Sequence, residues 1–69
     1  MRLRDVHKDD VDTVITIDTD LGFFRGKVAF LEEYVFQFVN GEGYFERQKT
    51  TRVGFYGTDQ VFEETRTVL

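Results

Sequence analysis

The 69-residue sequence contains no cysteine, no proline and no tryptophan, and only one histidine, His7, and one methionine. Without cysteine there is no disulfide framework and no thiolate metal site, and one histidine cannot furnish a His-rich metal cage. A cysteine-free chain also fits a reducing, cytoplasmic setting. No apolar run approaches the ~20 residues of a membrane helix, and the polar, charged stretch from Met1 to Asp10 does not read as a secretory signal. Basic charge is scarce as well. Nine Lys and Arg face thirteen Asp and Glu, for a net charge of −4. A stable polyanion complex would therefore rest on a local basic patch, and the acidity by itself indicates only ordinary solubility.

Aromatic residues, in contrast, are plentiful. Eight Phe and three Tyr make up 16% of the chain. The length suits one domain, residues 1–69, which buries only ~60% of the surface its unfolded chain exposes. Such a core is thin, and disulfide and metal staples are missing. Oligomerisation is the remaining staple, and so heavy an aromatic load is expected to lie partly at subunit contacts.

Leu3 and Val6, three apart, allow one short helical turn near the start. From Val11 the pattern changes to strands. Val11, Thr13, Ile15 and Ile17 share a face by alternation, in a β-branched stretch. Asp18, Thr19, Asp20 and Gly22 form a turn cluster. A second strand covers Phe23 to Leu31, with Phe24, Gly26, Val28 and Phe30 on one face; Gly26 marks a bend or a close backbone approach. Glu32-Glu33 reads as a polar break. Tyr34 to Val39 is a third strand, apolar on both faces apart from Gln37, and so expected to be covered on both, in a barrel or against another chain. Asn40-Gly41-Glu42-Gly43 is a hairpin signal. Tyr44 to Arg47 and Arg52 to Tyr56 read as two further strands around a polar stretch, with a turn at Gly57-Thr58-Asp59. Val61 to Val68 closes the sheet, with Val61, Glu63, Thr65 and Thr67 on one side. Turn signals every eight to twelve residues and no long helix predict an all-β meander closing into a small barrel of five to six strands.

No catalytic constellation stands out, so no enzyme activity, cofactor or metal is expected. His7 has no nucleophile or carboxylate pattern beside it. Asp18 and Asp20 offer too few oxygen ligands for calcium and suit local turn hydrogen bonding. The Gly-Glu-Gly at 41–43 lacks the helix and Lys-Ser of a phosphate loop. More informative are Arg47, Lys49 and Arg52, flanked by Tyr44, Phe45 and Tyr56. Cations interleaved with flat rings are what a single-stranded nucleic-acid surface uses. The same residues also suit a solvated hairpin edge, whose charges keep other strands from pairing.

The stretch from Asp12 to Val39 resembles the first signature motif of the Sm/Lsm family, including its Hfq branch. Thr13 to Ile17 stands for the β-branched strand and Asp18 to Gly22 for the turn. Gly26 is the glycine of the bent second strand, Leu31-Glu32 occupies the aromatic-acidic pair, and Tyr34 to Phe38 is the third strand. Phe55 to Phe62 is similar to the second motif. The sequence has Phe36 where the family has a base-contacting Asn, and Tyr56 where it has the Arg of an Arg-Gly turn. The resemblance implies a strongly bent Sm/SH3-like barrel, preceded by a short helical turn. It also implies a homo-oligomeric ring that binds single-stranded RNA, closed by strand pairing between neighbours. The implied RNA-contacting residues are Tyr34, whose ring would stack on a base, with Glu33 beside it, and Tyr56, Gly57 and Thr58 in the second RNA-contacting loop, with Arg47, Lys49 and Arg52 on phosphates. The other reading is a non-catalytic protein-interaction or scaffold barrel without a nucleic-acid ligand.

Overall fold

The structure, a computed structural model, describes residues 1–68. Four strands, β1 (Val14–Thr19), β2 (Gly22–Val39), β3 (Phe45–Phe55) and β4 (Val61–Val68), form one antiparallel meander in the order β1-β2-β3-β4. Two single-turn 3-10 segments, Leu3–Asp5 and Lys8–Asp10, precede them. The all-β expectation and the final strand hold. The five- to six-stranded barrel does not: the described residues form four strands, and among them β1 does not pair with β4.

Two merged strands explain the lower count. Glu32-Glu33 is no break but the middle of the 18-residue β2. Adjacent in a strand, the two carboxylates point to opposite faces, and each meets its own cation across the ladder. Glu32 lies opposite Arg52 in register, and Glu33 reaches Lys49 Nζ at 3.1 Å. Opposite charges on neighbouring strands support the pairing that two adjacent acids alone would discourage. Likewise, the polar stretch Gln48 to Thr51 is the centre of β3, hydrogen-bonded on one side to β2 and on the other to β4. A strand with partners on both sides buries its threonines. Thr50 and Thr51 are both buried, and the Thr50 hydroxyl lies 2.8 Å from that of Thr65.

The turns follow local chemistry closely. The β1–β2 connection is a tight turn in which Gly22, at φ +118°, takes a conformation side chains resist. Between β2 and β3, Asn40 Oδ1 accepts hydrogen bonds from the amides of Glu42 (2.9 Å) and Tyr44 (3.1 Å). The positive φ of that loop falls on Gly43 and not on Gly41, because the loop is longer than a two-residue Asn-Gly turn.

Face assignment turns on a bulge. Ile15, Ile17, Phe24, Gly26 and Val28 lie on the core side, as alternation requires. The ladder register then slips between Val28 and Phe30. One extra residue exchanges the two faces downstream. Phe30 therefore turns outward, contrary to the expected grouping, and Leu31 turns in to pack on the core. Gly26 confirms its expected close approach, since a Cβ there would sit 3.0 Å from the Phe55 ring.

The core is small: Leu3, Val6, Ile15, Ile17, Val28, Val53 and Phe55, flanked by Val11, Phe24, Leu31 and Phe62. Phe24, Phe55 and Phe62 make a triangle of tilted rings with centroids 4.8–5.7 Å apart, a spacing aromatic pairs favour. The predicted apolar edge of the first segment is real, because Leu3 and Val6 are both buried. This segment fills the gap where a barrel would close. Met1 C=O accepts from the Asp18 amide (2.8 Å) on the β1 side, and the Arg4 amide donates to Glu64 (3.2 Å) on the β4 side.

Candidate interaction surface

All of this core lies at one end of the sheet. The β2–β3 hairpin continues well past it, pairing without interruption as far as Val39 opposite Phe45. The molecule is correspondingly long, 43 Å against 24 and 20 Å. Beyond Glu33 the hairpin continues as an arm, flanked by β4 as far as Val68 opposite Arg47, and its apolar side chains stay exposed. Val35 and Phe36 are 60% and 56% exposed, and Tyr34, Phe38, Val39, Tyr44 and Phe45 are exposed as well. The expectation that Tyr34 to Val39 would be covered on both faces is thus overturned within the chain. The core ends before this segment begins, and among the described residues no fifth strand lies over it.

Alternation sorts the arm into two faces. On the outer face of β2 stand Phe30, Tyr34, Phe36 and Phe38, an aromatic stripe broken only by Glu32. Opposite them on β3 are Gly54, Thr50, Gln48 and Glu46. The reverse face carries Val35, Val39 and Phe45 together with Arg47 and Lys49.

One edge of the arm is also unpaired. β1 pairs with β2 only from Gly22 to Lys27, and Asp12 and Thr13 then bond to Val28. Among the described residues, no strand pairs with β2 on that side from Ala29 to Val39. This stretch has no Pro, Lys or Arg; its charges are Glu32 and Glu33, both paired with cations of β3, and His7 and Lys8 lie near Leu31 and Glu33. The opposite edge, β4, is different: Glu63, Glu64 and Arg66 interrupt it, and Leu3–Asp5 covers part of it.

The predicted RNA-contacting residues are divided among separate places. Glu33, Tyr34, Arg47, Lys49 and Arg52 lie in the middle and outer parts of the hairpin. Tyr56, Gly57 and Thr58 lie beyond the far end of β3. Thr50, opposite Tyr34, is six residues from Tyr56, a separation of ~20 Å at the rise of a strand. The structure does not bring the two groups together. Within the hairpin, Tyr34 and Arg52 share the outer face, whereas Glu33, Arg47 and Lys49 are on the other.

Charge is largely cancelled there. Arg52 Nη1 lies 3.2 Å from Glu32 and its Nε 3.4 Å from Glu63. Lys49 pairs with Glu33. The Tyr34 hydroxyl donates to Glu32, and this bond holds the phenol above its ordinary titration range. At the other end, the Tyr56 hydroxyl donates to Asp12 at 2.8 Å, which raises that phenol too, and Lys27 Nζ sits 5.5 Å from its ring centroid. The aromatic stripe was not singled out by sequence reading as a surface. Its signal was present in the two-sided apolar pattern of Tyr34 to Val39.

A groove of about 500 Å³ lies where β1 and β4 fail to meet, lined in part by Asp18, Asp20, Glu63 and Glu64. Among the described residues no three His, Asp or Glu side chains gather as a metal site. No helix in them is long and apolar enough to cross a membrane. His7 accepts a hydrogen bond from the Asp9 amide and its own amide donates to Asp10, so it caps a turn. No family model, curated protein or solved structure matches the chain.

Proposed function

We propose that this chain is a non-catalytic assembly module that engages protein through its projecting β2–β3 arm. One observation carries the reading: the arm exposes apolar side chains on both faces and an unpaired strand edge, far from the core that holds the fold together. Apolar strands left open in this way are used for strand addition, in which main-chain hydrogen bonds give affinity and alternate side chains give selectivity. Glu32, Glu33, Lys49 and Arg52 pair with one another or with Glu63 at the base of the arm, which leaves Arg47, Glu42 and Glu46 as the charges outside these pairs in the hairpin. The test is the double variant Phe36→Ser with Phe38→Ser. It should reduce binding of an apolar dye and lower association, while stability falls by less than about 1 kcal/mol per site. A loss of core size, ~3 kcal/mol or more, would mean that the arm is part of the folding core, and the reading would fail.

A second reading follows from the aromatic stripe. Tyr34, Phe36 and Phe38 on one face form a platform on which bases could stack. It is the reading favoured by the resemblance to the Sm/Lsm family, in which an RNA-binding homo-oligomeric ring of Sm-like barrels is the functional unit. Titration with single-stranded RNA at low and high salt tests it. Affinity that falls steeply with salt and drops by ~1–3 kcal/mol in Tyr34→Ala would support stacking. No binding at low salt would dismiss it.

A further inference from the structure

We infer that the partner of the arm is a second copy of this chain, joined by antiparallel pairing of β2 with β2 about a twofold axis at Tyr34. The inference rests on the assembly reading above and names its occupant. An antiparallel strand edge is self-complementary, so a twofold contact uses the same row of amides and carbonyls twice. The unpaired edge runs from Ala29 to Val39, and its midpoint is Tyr34. Full overlap of two such edges sets Phe30 opposite Phe38 of the other copy, Glu32 opposite Phe36, and Tyr34 opposite itself. Parity is preserved, so the two outer stripes join across the seam into one band, interrupted at the two Glu32 side chains.

Charge permits this. In the hairpin, residues 28–55, four acids (Glu32, Glu33, Glu42, Glu46) face three bases (Arg47, Lys49, Arg52), a net charge of −1, against −3 for the rest of the chain. The two acids nearest the seam already hold cations from β3, so their approach to a symmetry mate brings little repulsion. Edge pairing of this kind buries the backbone of β2 and the flanks of the side chains beside the seam, while the faces of the stripe stay on the sheet surface, so main-chain hydrogen bonds hold the seam. The β4 edge, interrupted by charge and partly covered, is the poorer candidate for a seam.

The chain has no cysteine, so single-cysteine variants report contacts without background. Opposed Cα atoms in an antiparallel pair, ~4.5–5.5 Å apart, fall within disulfide reach. In the full chain, Tyr34→Cys should therefore form a disulfide-linked dimer on mild oxidation at least ~10-fold faster than Thr65→Cys, which lies on the same face but on β4. Sedimentation equilibrium of the unaltered chain should show the mass rising from 8.1 kDa to twice that value as concentration increases, and no further. Equal rates for the two variants, growth beyond the dimer, or a constant monomer mass up to about 1 mM would each overturn the inference. A constant monomer alongside unchanged stability in the Phe36→Ser, Phe38→Ser variant would remove the second copy and keep the arm as a docking surface for a different chain. A loss of stability in that variant would remove the docking reading itself.

Discussion

Replacing Gly54 by alanine is expected to destabilise the protein only while Phe30 is present. Gly54 and Phe30 are direct cross-strand partners just past the bulge, and the Phe30 ring occupies the space where a side chain at Gly54 would begin. A Cβ at Gly54 would fall inside that ring, so the ring must leave. Phe30 is 37% exposed, so it has solvent to swing into and the clash does not prevent folding. The cost is the lost cover over the strand, about 2 kcal/mol, scaled from a fully buried Phe→Ala loss of ~3–5 kcal/mol. Against it stands the gain from removing a glycine inside a strand, ~0.5–1 kcal/mol. The net effect of Gly54→Ala is thus a loss of about 1–1.5 kcal/mol, or roughly 4–12 °C in Tm for a domain of this size. In a Phe30→Ala background there is no ring to displace, and the same substitution should stabilise by about 0.5 kcal/mol. Urea unfolding followed by far-ultraviolet circular dichroism on the four members of the cycle measures the coupling, expected near 2 kcal/mol. A coupling below ~0.5 kcal/mol, the usual scatter of independent sites, would refute the argument.

Three other perturbations probe different parts of the molecule. Ile17, fully buried beneath the first segment, should lose ~0.5–1.5 kcal/mol as Val and ~2–5 kcal/mol as Ala by urea unfolding; equal, small losses would mean that the core is not where Ile17 sits. Gly57 has φ +83° with open space around it, so Gly57→Ala should cost about 1 kcal/mol from backbone strain alone, and a neutral result would indicate a different turn. Tyr34 gains its raised phenol pKa chiefly from the bond to Glu32. A group raised on folding favours the fold in its protonated form, so this contribution is present below the ordinary tyrosine pKa of ~10 and is lost as pH climbs through the folded value. Glu32→Gln should lower the Tyr34 titration midpoint, read from phenolate absorbance against a Tyr34→Phe control; an unmoved midpoint would break the assignment.

The sequence determined a good deal by itself. Its β-branched runs and turn residues defined an all-β meander, the turns at Asp18–Gly22, Asn40–Gly43 and Gly57, and the last strand, because these depend on local backbone preference and side-chain period. It also placed Ile15 and Ile17 on one face, and Leu3 and Val6 on one edge, for the same reason. Other features depended on contacts between residues distant in the chain. Glu32-Glu33 continues a strand only because Arg52 and Lys49 lie across from it. Phe30 faces outward only because a bulge shifts the register against β3. The predicted site residues span two ends of the sheet because β2 and β3 are each one long strand and not two short ones folded back. The two-sided apolar run at Tyr34 to Val39 announced burial on both faces; that the cover is not supplied by its own chain was decided by where the core ends, which is a property of the tertiary packing alone.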